Sequence, residues 1–193
     1  MRIVRRSAPL CLAALVFIAA TPSPARAEGF LSGLIGYNFS GDSGCPSIQN
    51  CEDKRANLGV SVGSVGVIGF EEELAYAKDF FGKTPTGSSS VLTLMSNLLI
   101  APGFGPVHPY VLGGVGLMRS HTDFTPSQLV LDVNDNQFAW DVGGGVMVFA
   151  GHVGVRGDIR YFHSFQETGL LGFLATGEKL NFGRGSGAIV FKF

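Results

Sequence analysis

The sequence predicts an all-β fold, an eight-stranded antiparallel up-and-down transmembrane β-barrel. Apolar and polar residues alternate with a period of two in one segment after another, as in strands whose faces meet different surroundings. The connections between these segments alternate between long and short. The less apolar face carries charged residues, which an apolar core holds only at a high cost in free energy. These observations favour a barrel with a polar interior and an apolar outer surface.

Residues 1–27 have the three parts of a secretory signal peptide. Basic residues at the start are followed by an apolar run of about a dozen residues and by A-R-A at residues 25–27. A membrane-spanning helix needs ~20 apolar residues, so this run is too short for one. We expect cleavage at the site formed by Ala25, Ala27 and Glu28, with one barrel domain over residues 28–193.

The chain is acidic once this segment is removed. Four of its fourteen basic residues lie in residues 1–27, so residues 28–193 keep ten basic against fifteen acidic residues, a formal net charge of −5. No basic stripe remains for nucleic acid, and we expect neither a nucleic-acid partner nor a cofactor. The run D-V-N-D-N (132–136) lacks the glycine and closing glutamate of a calcium loop. The four histidines are scattered, so no metal site is predicted.

Cys45 and Cys51 flank the short stretch P-S-I-Q-N. In an exported protein this spacing predicts a local disulfide that stiffens the loop between the first two strands. Only five residues separate the two cysteines, so the bond removes little chain entropy from the unfolded state. A metal site would need further ligands nearby, and no histidine is close in the sequence.

Eight segments carry the strand-like alternation. In chain order they cover about 30–39, 55–63, 67–78, 91–101, 110–119, 137–149, 152–161 and 180–193. The connections are long, short, long, medium, long, short and long, and the last two long ones cover residues 120–136 and 163–179. Outer-membrane barrels have an even number of strands, long extracellular loops and short periplasmic turns. Both chain ends are therefore expected on the periplasmic side.

The third and seventh segments show how charge is distributed between the two faces. The polar face of the seventh holds three charges in five residues, Arg156, Asp158 and Arg160. In the third, Glu71 and Glu73 share the polar face, whereas Glu72 falls on the apolar face. A position near a membrane edge or at a bulge would explain Glu72. The fifth segment has apolar residues in both registers, so its faces stay unassigned.

Eight charged residues are predicted to project into the barrel. Burying them in a soluble apolar core without partners would cost on the order of several kcal/mol each. Inside a membrane barrel they can pair with one another and with water, and closure satisfies every strand hydrogen bond. An antiparallel sandwich with a solvated polar face explains the alternation equally well, but not the loop lengths. The predicted interior charges are Arg55, Glu71, Glu73, Asp141, Arg156, Asp158, Arg160 and Arg184.

The last segment ends on an aromatic residue after alternating apolar ones, Ile189, Phe191 and Phe193. This pattern resembles the C-terminal signature by which bacterial outer-membrane proteins engage the barrel-assembly machinery. Three internal stretches resemble the pattern of small porin-family, opacity-type β-barrel proteins. They are L-M-S-N-L-L (94–99), H-P-Y-V-L-G-G-V-G (108–116) and V-G-V-R-G-D-I-R-Y-F (153–162).

The resemblance implies an eight-stranded barrel like the membrane domain of OmpA, located in the bacterial outer membrane. The implied partners are outer-membrane lipid and lipopolysaccharide, with the assembly machinery acting through the C-terminal strand. Small barrels of this kind are often monomers, and we expect a monomer here. The cysteine pair in the first loop is not part of the family pattern.

Three functions are considered for such a barrel. An eight-stranded barrel is just wide enough to be filled by side chains, which favours a structural or surface-interacting protein whose lumen is plugged by ion pairs. A small porin or conduit for small solutes is the alternative.

Apolar residues in the third and fourth long loops would suit an adhesive surface or hairpins that extend the strands. They are Phe124, Leu129, Leu131, Leu170, Leu171, Phe173 and Leu174.

The third function is a lipid A-modifying enzyme, because deacylases and palmitoyltransferases also use eight-stranded barrels. His163, Ser164 and Glu167 invite an interpretation as base, nucleophile and supporting acid. Adjacent residues of a strand point to opposite faces, however, and such deacylases resemble a His-x-Ser arrangement that this sequence lacks. We therefore expect no enzymatic activity.

Overall fold

The described part of the chain forms eight antiparallel strands. In this computed structural model it covers residues 28–41, 43, 55–81, 87–124, 131–167 and 179–193. Cys45 and Cys51 lie outside these residues, so the disulfide stays a prediction. The strands are β1 (Glu28–Phe39), β2 (Ala56–Val65), β3 (Ile68–Lys78), β4 (Gly87–Ile100), β5 (Val107–Phe124), β6 (Leu131–Ala150), β7 (Val153–Glu167) and β8 (Lys179–Lys192).

The strands close into a barrel in which each pairs with its neighbours in the sequence. Closure joins β1 to β8 over the register from Phe30↔Lys192 to Phe39↔Gly183. At the chain end, the Phe193 amide donates to the Gly29 carbonyl at 2.9 Å. A closed sheet leaves no strand edge, which lipid contact requires. The predicted fold class is confirmed. No helix among the described residues is long and apolar enough to cross a membrane.

The two ends of the barrel differ in their connections. Short turns join β2 to β3, β4 to β5 and β6 to β7, and we call this the turn end. Gly151 takes a φ of +67° in the β6–β7 turn, a left-handed conformation that favours glycine. The longer connections lie at the other end, which we call the loop end. In outer-membrane barrels the short turns face the periplasm.

The third long connection is shorter than the sequence predicted. A loop was expected over residues 120–136, but pairing of β5 with β6 continues as far as Phe124↔Leu131. Residues 132–136, predicted above to lie in this loop, therefore lie in β6. Likewise β7 runs on to Glu167. The alternation is weak in these extensions because most of their residues are polar.

The outer and inner faces of the wall have opposite character. Large apolar side chains are exposed on the outer face of every strand, among them Leu58, Val155, Ile159 and Ile189. Inside, an apolar cluster fills each end. The turn-end cluster comprises Phe30, Val65, Leu99, Ala101, Tyr110, Leu112, Met147, Phe149 and Val190. The loop-end cluster comprises Ala77, Phe80, Val91, Met95, Met118, Ala139, Phe162, Leu180 and Phe182.

Candidate functional site

The polar middle of the barrel is built by four strands, and we call its seven charged residues the central cluster. Side chains at alternate positions of a strand share a face, so Glu71 and Glu73 of β3 both point inward. The same rule brings three charges of β7 inward. All seven side chains are buried. The central cluster comprises Glu71, Glu73, Asp141, Arg156, Asp158, Arg160 and Arg184.

Arg160 is the hub of the central cluster. Its Nη2 lies 2.8 Å from Glu73 Oε2, 3.1 Å from Glu71 Oε1 and 3.2 Å from Asp158 Oδ2. Its Nη1 lies 3.6 Å from Asp141 Oδ2. One guanidinium thus contacts carboxylates from three strands. Such a planar fork of donors suits several acceptors at once.

Arg156 forms a second centre towards the turn end. Its Nη1 lies 3.0 Å from Glu71 Oε2, and its Nη2 lies 2.8 Å from Asp158 Oδ2. Its Nε donates to the Tyr110 hydroxyl at 2.6 Å, and that hydroxyl donates to Asp158 Oδ2 at 2.6 Å. The Ser186 hydroxyl also donates to Asp158. Tyr110 therefore links the ion pairs to the turn-end apolar cluster.

Arg184 joins the central cluster to the loop-end apolar cluster. Its Nη1 lies 3.2 Å from Glu73 Oε1, and its Nε donates to Asn38 Oδ1 at 3.2 Å. The guanidinium carbon sits 4.5 Å from the ring centroid of Phe162 and 5.7 Å from that of Phe182. A cation over aromatic faces gains electrostatic stabilisation when water is excluded.

The central cluster is nearly balanced in charge. Three arginines face four carboxylates, so most of each charge is offset by a neighbour at ion-pair distance. Asn97 completes it in the amide orientation that gives both of its atoms a partner. In that orientation its nitrogen donates to Asp141 Oδ1 at 2.6 Å and its oxygen accepts from Arg160 Nη1 at 3.2 Å. A buried charge is stable only when such oppositely charged and hydrogen-bonding neighbours surround it.

The structure brings together seven of the eight charges predicted for the interior. Arg55 lies just before β2 and is only partly buried, while its carbonyl accepts from the Asn38 amide at 2.7 Å. Sequence reasoning missed the neutral members, Tyr110, Asn38 and Asn97. For Tyr110 the signal was obscured because the fifth segment is apolar in both registers.

His163 and Ser164 lie on opposite sides of the barrel wall. Ser164 is buried inside, and its Oγ accepts from the Leu180 amide at 3.0 Å. His163 faces outward, with its ring 5.6 Å from that of Trp140 and 6.3 Å from that of Tyr161. The two do not form a nucleophile–base pair, and the side chain of Glu167 lies outside the described ones. Within the described residues, no three His, Cys, Asp or Glu side chains gather as a metal site.

The three residues proposed for the assembly signal all face outward. Ile189, Phe191 and Phe193 are exposed on the outer face of the β8 end. Phe193 also packs over Gly29, where an added Cβ would come within 2.6 Å of its ring. The C-terminal strand thus presents an alternating apolar row to the exterior.

Comparisons with known proteins agree with this architecture. Neisserial surface protein A has a TM-score of 0.60 and 16% identity, covering 86% of this chain and 97% of its own. A major outer membrane protein from Thermus thermophilus has a TM-score of 0.59 and 13% identity, covering 88% and 100%. Ail, the attachment invasion locus protein of Yersinia pestis, has a TM-score of 0.55 and 10% identity, again covering 88% and 100%.

At such low identity these likenesses show the fold alone. No curated protein sequence matches the chain. The family model described as "Outer membrane protein beta-barrel domain" matches residues 10–187, which is most of the chain. The chain therefore belongs to the outer membrane protein beta-barrel domain family, a family of the bacterial outer membrane.

Proposed function

We propose that the protein is a structural or surface-interacting outer-membrane barrel whose lumen is closed to solutes. The observation that carries this proposal is Arg160, buried at the barrel centre with four carboxylates at 2.8–3.6 Å. An eight-stranded barrel leaves room for little beyond its own side chains. A solute that passed this point would have to separate buried ion pairs.

The two apolar clusters support closure above and below the ion pairs. At the loop end, Phe162 and Phe182 stack with ring centroids 4.9 Å apart, and Phe80 meets Phe182 edge-on at 4.8 Å. At the turn end, Phe30 and Met147 are fully buried. Ions would therefore meet an apolar layer, a charged layer and a second apolar layer in turn.

A closed lumen leaves the outer surface and the loops as the functional parts. Two of the similar structures are named as a surface protein and as an attachment invasion locus protein. Ail has also been solved with the heparin analogue sucrose octasulfate. We propose that the partners are outer-membrane lipid and lipopolysaccharide, whose acyl chains would contact the exposed apolar side chains of the outer face.

In this proposal the signal peptide directs export, and the C-terminal strand directs assembly into the membrane. The signal peptide is removed between Ala27 and Glu28, and the outward row Ile189, Phe191 and Phe193 engages the barrel-assembly machinery. The exposure of all three side chains supports their availability to a partner.

Conductance of refolded residues 28–193 in a planar bilayer tests the closed lumen. We expect a folded barrel without unitary current steps, and heat-modifiable gel mobility confirms that the sample is folded. Steady steps from the folded protein would overturn closure and favour a small porin, in which the central cluster acts as a selectivity filter.

A further inference from the structure

Polar side chains from three strands meet on the outer face near the loop end. Lys78 of β3 is the register partner of Ser90 of β4, and Ser90 is the register partner of His121 of β5. Arg119 lies diagonally across from Ser90, since its own partner is Leu92. We call Lys78, Ser90, Arg119 and His121 the outer polar patch.

All four side chains of the outer polar patch point away from the lumen. Their neighbours along the strands, among them Ala77, Val91 and Ser120, are buried inside the barrel, and successive residues of a strand point to opposite faces. The two cations are exposed, whereas the serine and the histidine are half-buried. Strands lie about 4.8 Å apart, so the side chains of Lys78 and His121 begin roughly 10 Å from each other. The small serine between them leaves room for an anionic group above its hydroxyl.

The depth of the patch matches the outer edge of the membrane. Lys78 and Ser90 each lie ten residues from the turn-end limits of their strands, the exposed Ile68 and Ile100. A tilted strand climbs roughly 2.5 Å per residue along the barrel axis, which places the patch about 25 Å above the turn end. The apolar band of an outer-membrane barrel is ~25 Å tall. The patch therefore lies where hydrocarbon gives way to headgroups.

The side chains just below the patch agree with this depth. Tyr76 and Leu92 are register partners two residues closer to the turn end, and Leu94 and Leu117 continue the same face. All four are exposed. Aromatic residues such as Tyr76 flank the apolar band at the level of the headgroups. A lipid with its phosphate on the patch would lay its acyl chains over this apolar surface.

The patch offers a phosphate more donors than one contact requires. A lysine ammonium has three donors, a guanidinium five and a serine hydroxyl one. Arg119 and His121 also interact with other groups of the protein, but five donors allow a guanidinium more than one acceptor. Hydrogen bonds from such cations to phosphate are stronger than those between neutral groups.

The exposed cations of the barrel are confined to one end. Among the described residues, three lysine or arginine side chains are exposed, and each lies in the loop-end half of its strand: Lys78, Arg119 and Lys179. At the turn end, Lys192 instead lies over the Phe149 ring. The loop end of an outer-membrane barrel faces the exterior, where the outer leaflet carries lipopolysaccharide. Its lipid A sugars bear phosphates at the depth of the patch.

We propose that the outer polar patch binds a phosphate group of the lipid A part of lipopolysaccharide. Lys78 and Arg119 neutralise the phosphate, the Ser90 hydroxyl donates to it, and the acyl chains lie on the apolar surface below. Basic clusters beside a membrane recognise anionic headgroups in this way. The proposal rests on the lipopolysaccharide partner proposed above and assigns it a site.

The aqueous side of the patch favours a lipid over a free anion. Asp123 of β5 and Asp132 of β6 are register partners two residues further from the membrane than His121. Negative charge there disfavours an anion that arrives from water. A phosphate anchored by acyl chains approaches from the membrane side instead.

Binding of lipid A by the exported protein, purified in detergent with its fold intact, tests the patch. Native mass spectrometry gives the Kd for diphosphorylated lipid A and for the same lipid without phosphates. We expect the phosphorylated lipid to bind at least about fivefold more tightly. Lys78→Gln should remove most of this preference. Ser90→Leu should do the same, because it fills the gap without a change of charge. Heat-modifiable mobility of both variants should match the unmodified protein, since the side chains face outward.

Lys179→Gln is the matched control, since Lys179 is an exposed lysine at the same end of the barrel but on the opposite wall, in β8. It should leave both Kd values within about twofold. Equal losses in Lys78→Gln and Lys179→Gln would reveal general attraction and overturn the site. Inorganic phosphate that bound alone as tightly as lipid A would overturn the lipid as occupant.

The dephosphorylated lipid separates two kinds of failure. If both lipids bind alike, the patch is wrong and contact with the acyl chains stands. If neither lipid binds, the lipopolysaccharide partner itself is wrong.

Discussion

Three consecutive glutamates of β3 lie in two different regions of the molecule, the barrel interior and the outer face. Glu71 and Glu73 point inward and contact arginines from β7 and β8. Glu72 points outward, where its partner is a serine hydroxyl. The backbone alternation alone separates them. The carboxylates inside the barrel therefore contribute to the stability of the fold, whereas the one outside has a single hydroxyl partner among apolar side chains.

The largest effect is expected from removing the hub of the inner region. Arg160→Met leaves Glu71, Glu73, Asp141 and Asp158 without their shared cation. Breaking a buried ion pair by removing one partner costs about 3–5 kcal/mol, because the other charge stays buried. Urea titration of the barrel in lipid vesicles measures the loss in the free energy of unfolding.

Arg55→Met is the matched control for Arg160→Met. Arg55 is partly exposed and lies outside β2, so its replacement should change the free energy of unfolding far less. If the two variants unfold at the same urea concentration, the distinction between the central cluster and the remaining charges fails.

The second prediction compares neighbouring glutamates by the same substitution. Glu73→Gln removes a negative charge that lies 2.8 Å from Arg160 and 3.2 Å from Arg184. We expect a loss of about 1.5–3 kcal/mol, since two buried guanidinium groups lose a charged hydrogen-bond partner while three carboxylates still face the three arginines. Glu72→Gln should not lower the free energy of unfolding, because it removes a charged group from lipid contact. Denaturation of both variants in the same lipid provides the test, and equal losses would contradict the assigned faces.

Much of this comparison could be predicted from the sequence. The period of two assigned Glu71, Glu73 and Arg160 to the interior, since each strand must present one face to lipid. The pairing of Glu72 with Ser96 could not be predicted, because the register between β3 and β4 depends on the folded sheet. Nothing local to either residue indicates which residue lies opposite.

The neutral members of the cluster escaped prediction for a related reason. Tyr110 lies in a segment with apolar residues on both faces, so no period shows that its hydroxyl points inward. For Asn97 the sequence offers only its place in the family-like stretch L-M-S-N-L-L (94–99). The alternation alone predicts an inward Arg55, but this residue precedes the first residue of β2, where the alternation no longer determines burial.

The third prediction concerns Tyr110, which links the central cluster to the turn-end apolar cluster. Tyr110→Phe keeps the ring that packs in the turn-end cluster and removes the hydroxyl between Arg156 and Asp158. Loss of hydrogen bonds to charged partners should lower the free energy of unfolding by about 1.5–3 kcal/mol. Arg156 and Asp158 keep their direct contact at 2.8 Å, which limits the effect. Tyr161→Phe on the outer face is the control, and an equal loss there would show that the hydroxyl of Tyr110 has no special role.

The smallest effect is expected for the ion pair at the barrel rim. Lys192 donates to the Glu28 carboxylate, and the Glu28 side chain is 53% exposed. Exposed ion pairs contribute about 0–1 kcal/mol, because water already solvates both charges and salt screens them. Glu28→Gln should therefore lower the free energy of unfolding by less than about 1 kcal/mol, while the Lys192 ammonium keeps its position over the Phe149 ring. The difference should vanish in salt of about 1 M, whereas the loss caused by Glu73→Gln should persist there because that pair is buried. If salt abolished both losses equally, water and ions would reach the central cluster, and the closed lumen would have to be abandoned along with the contrast between the two faces.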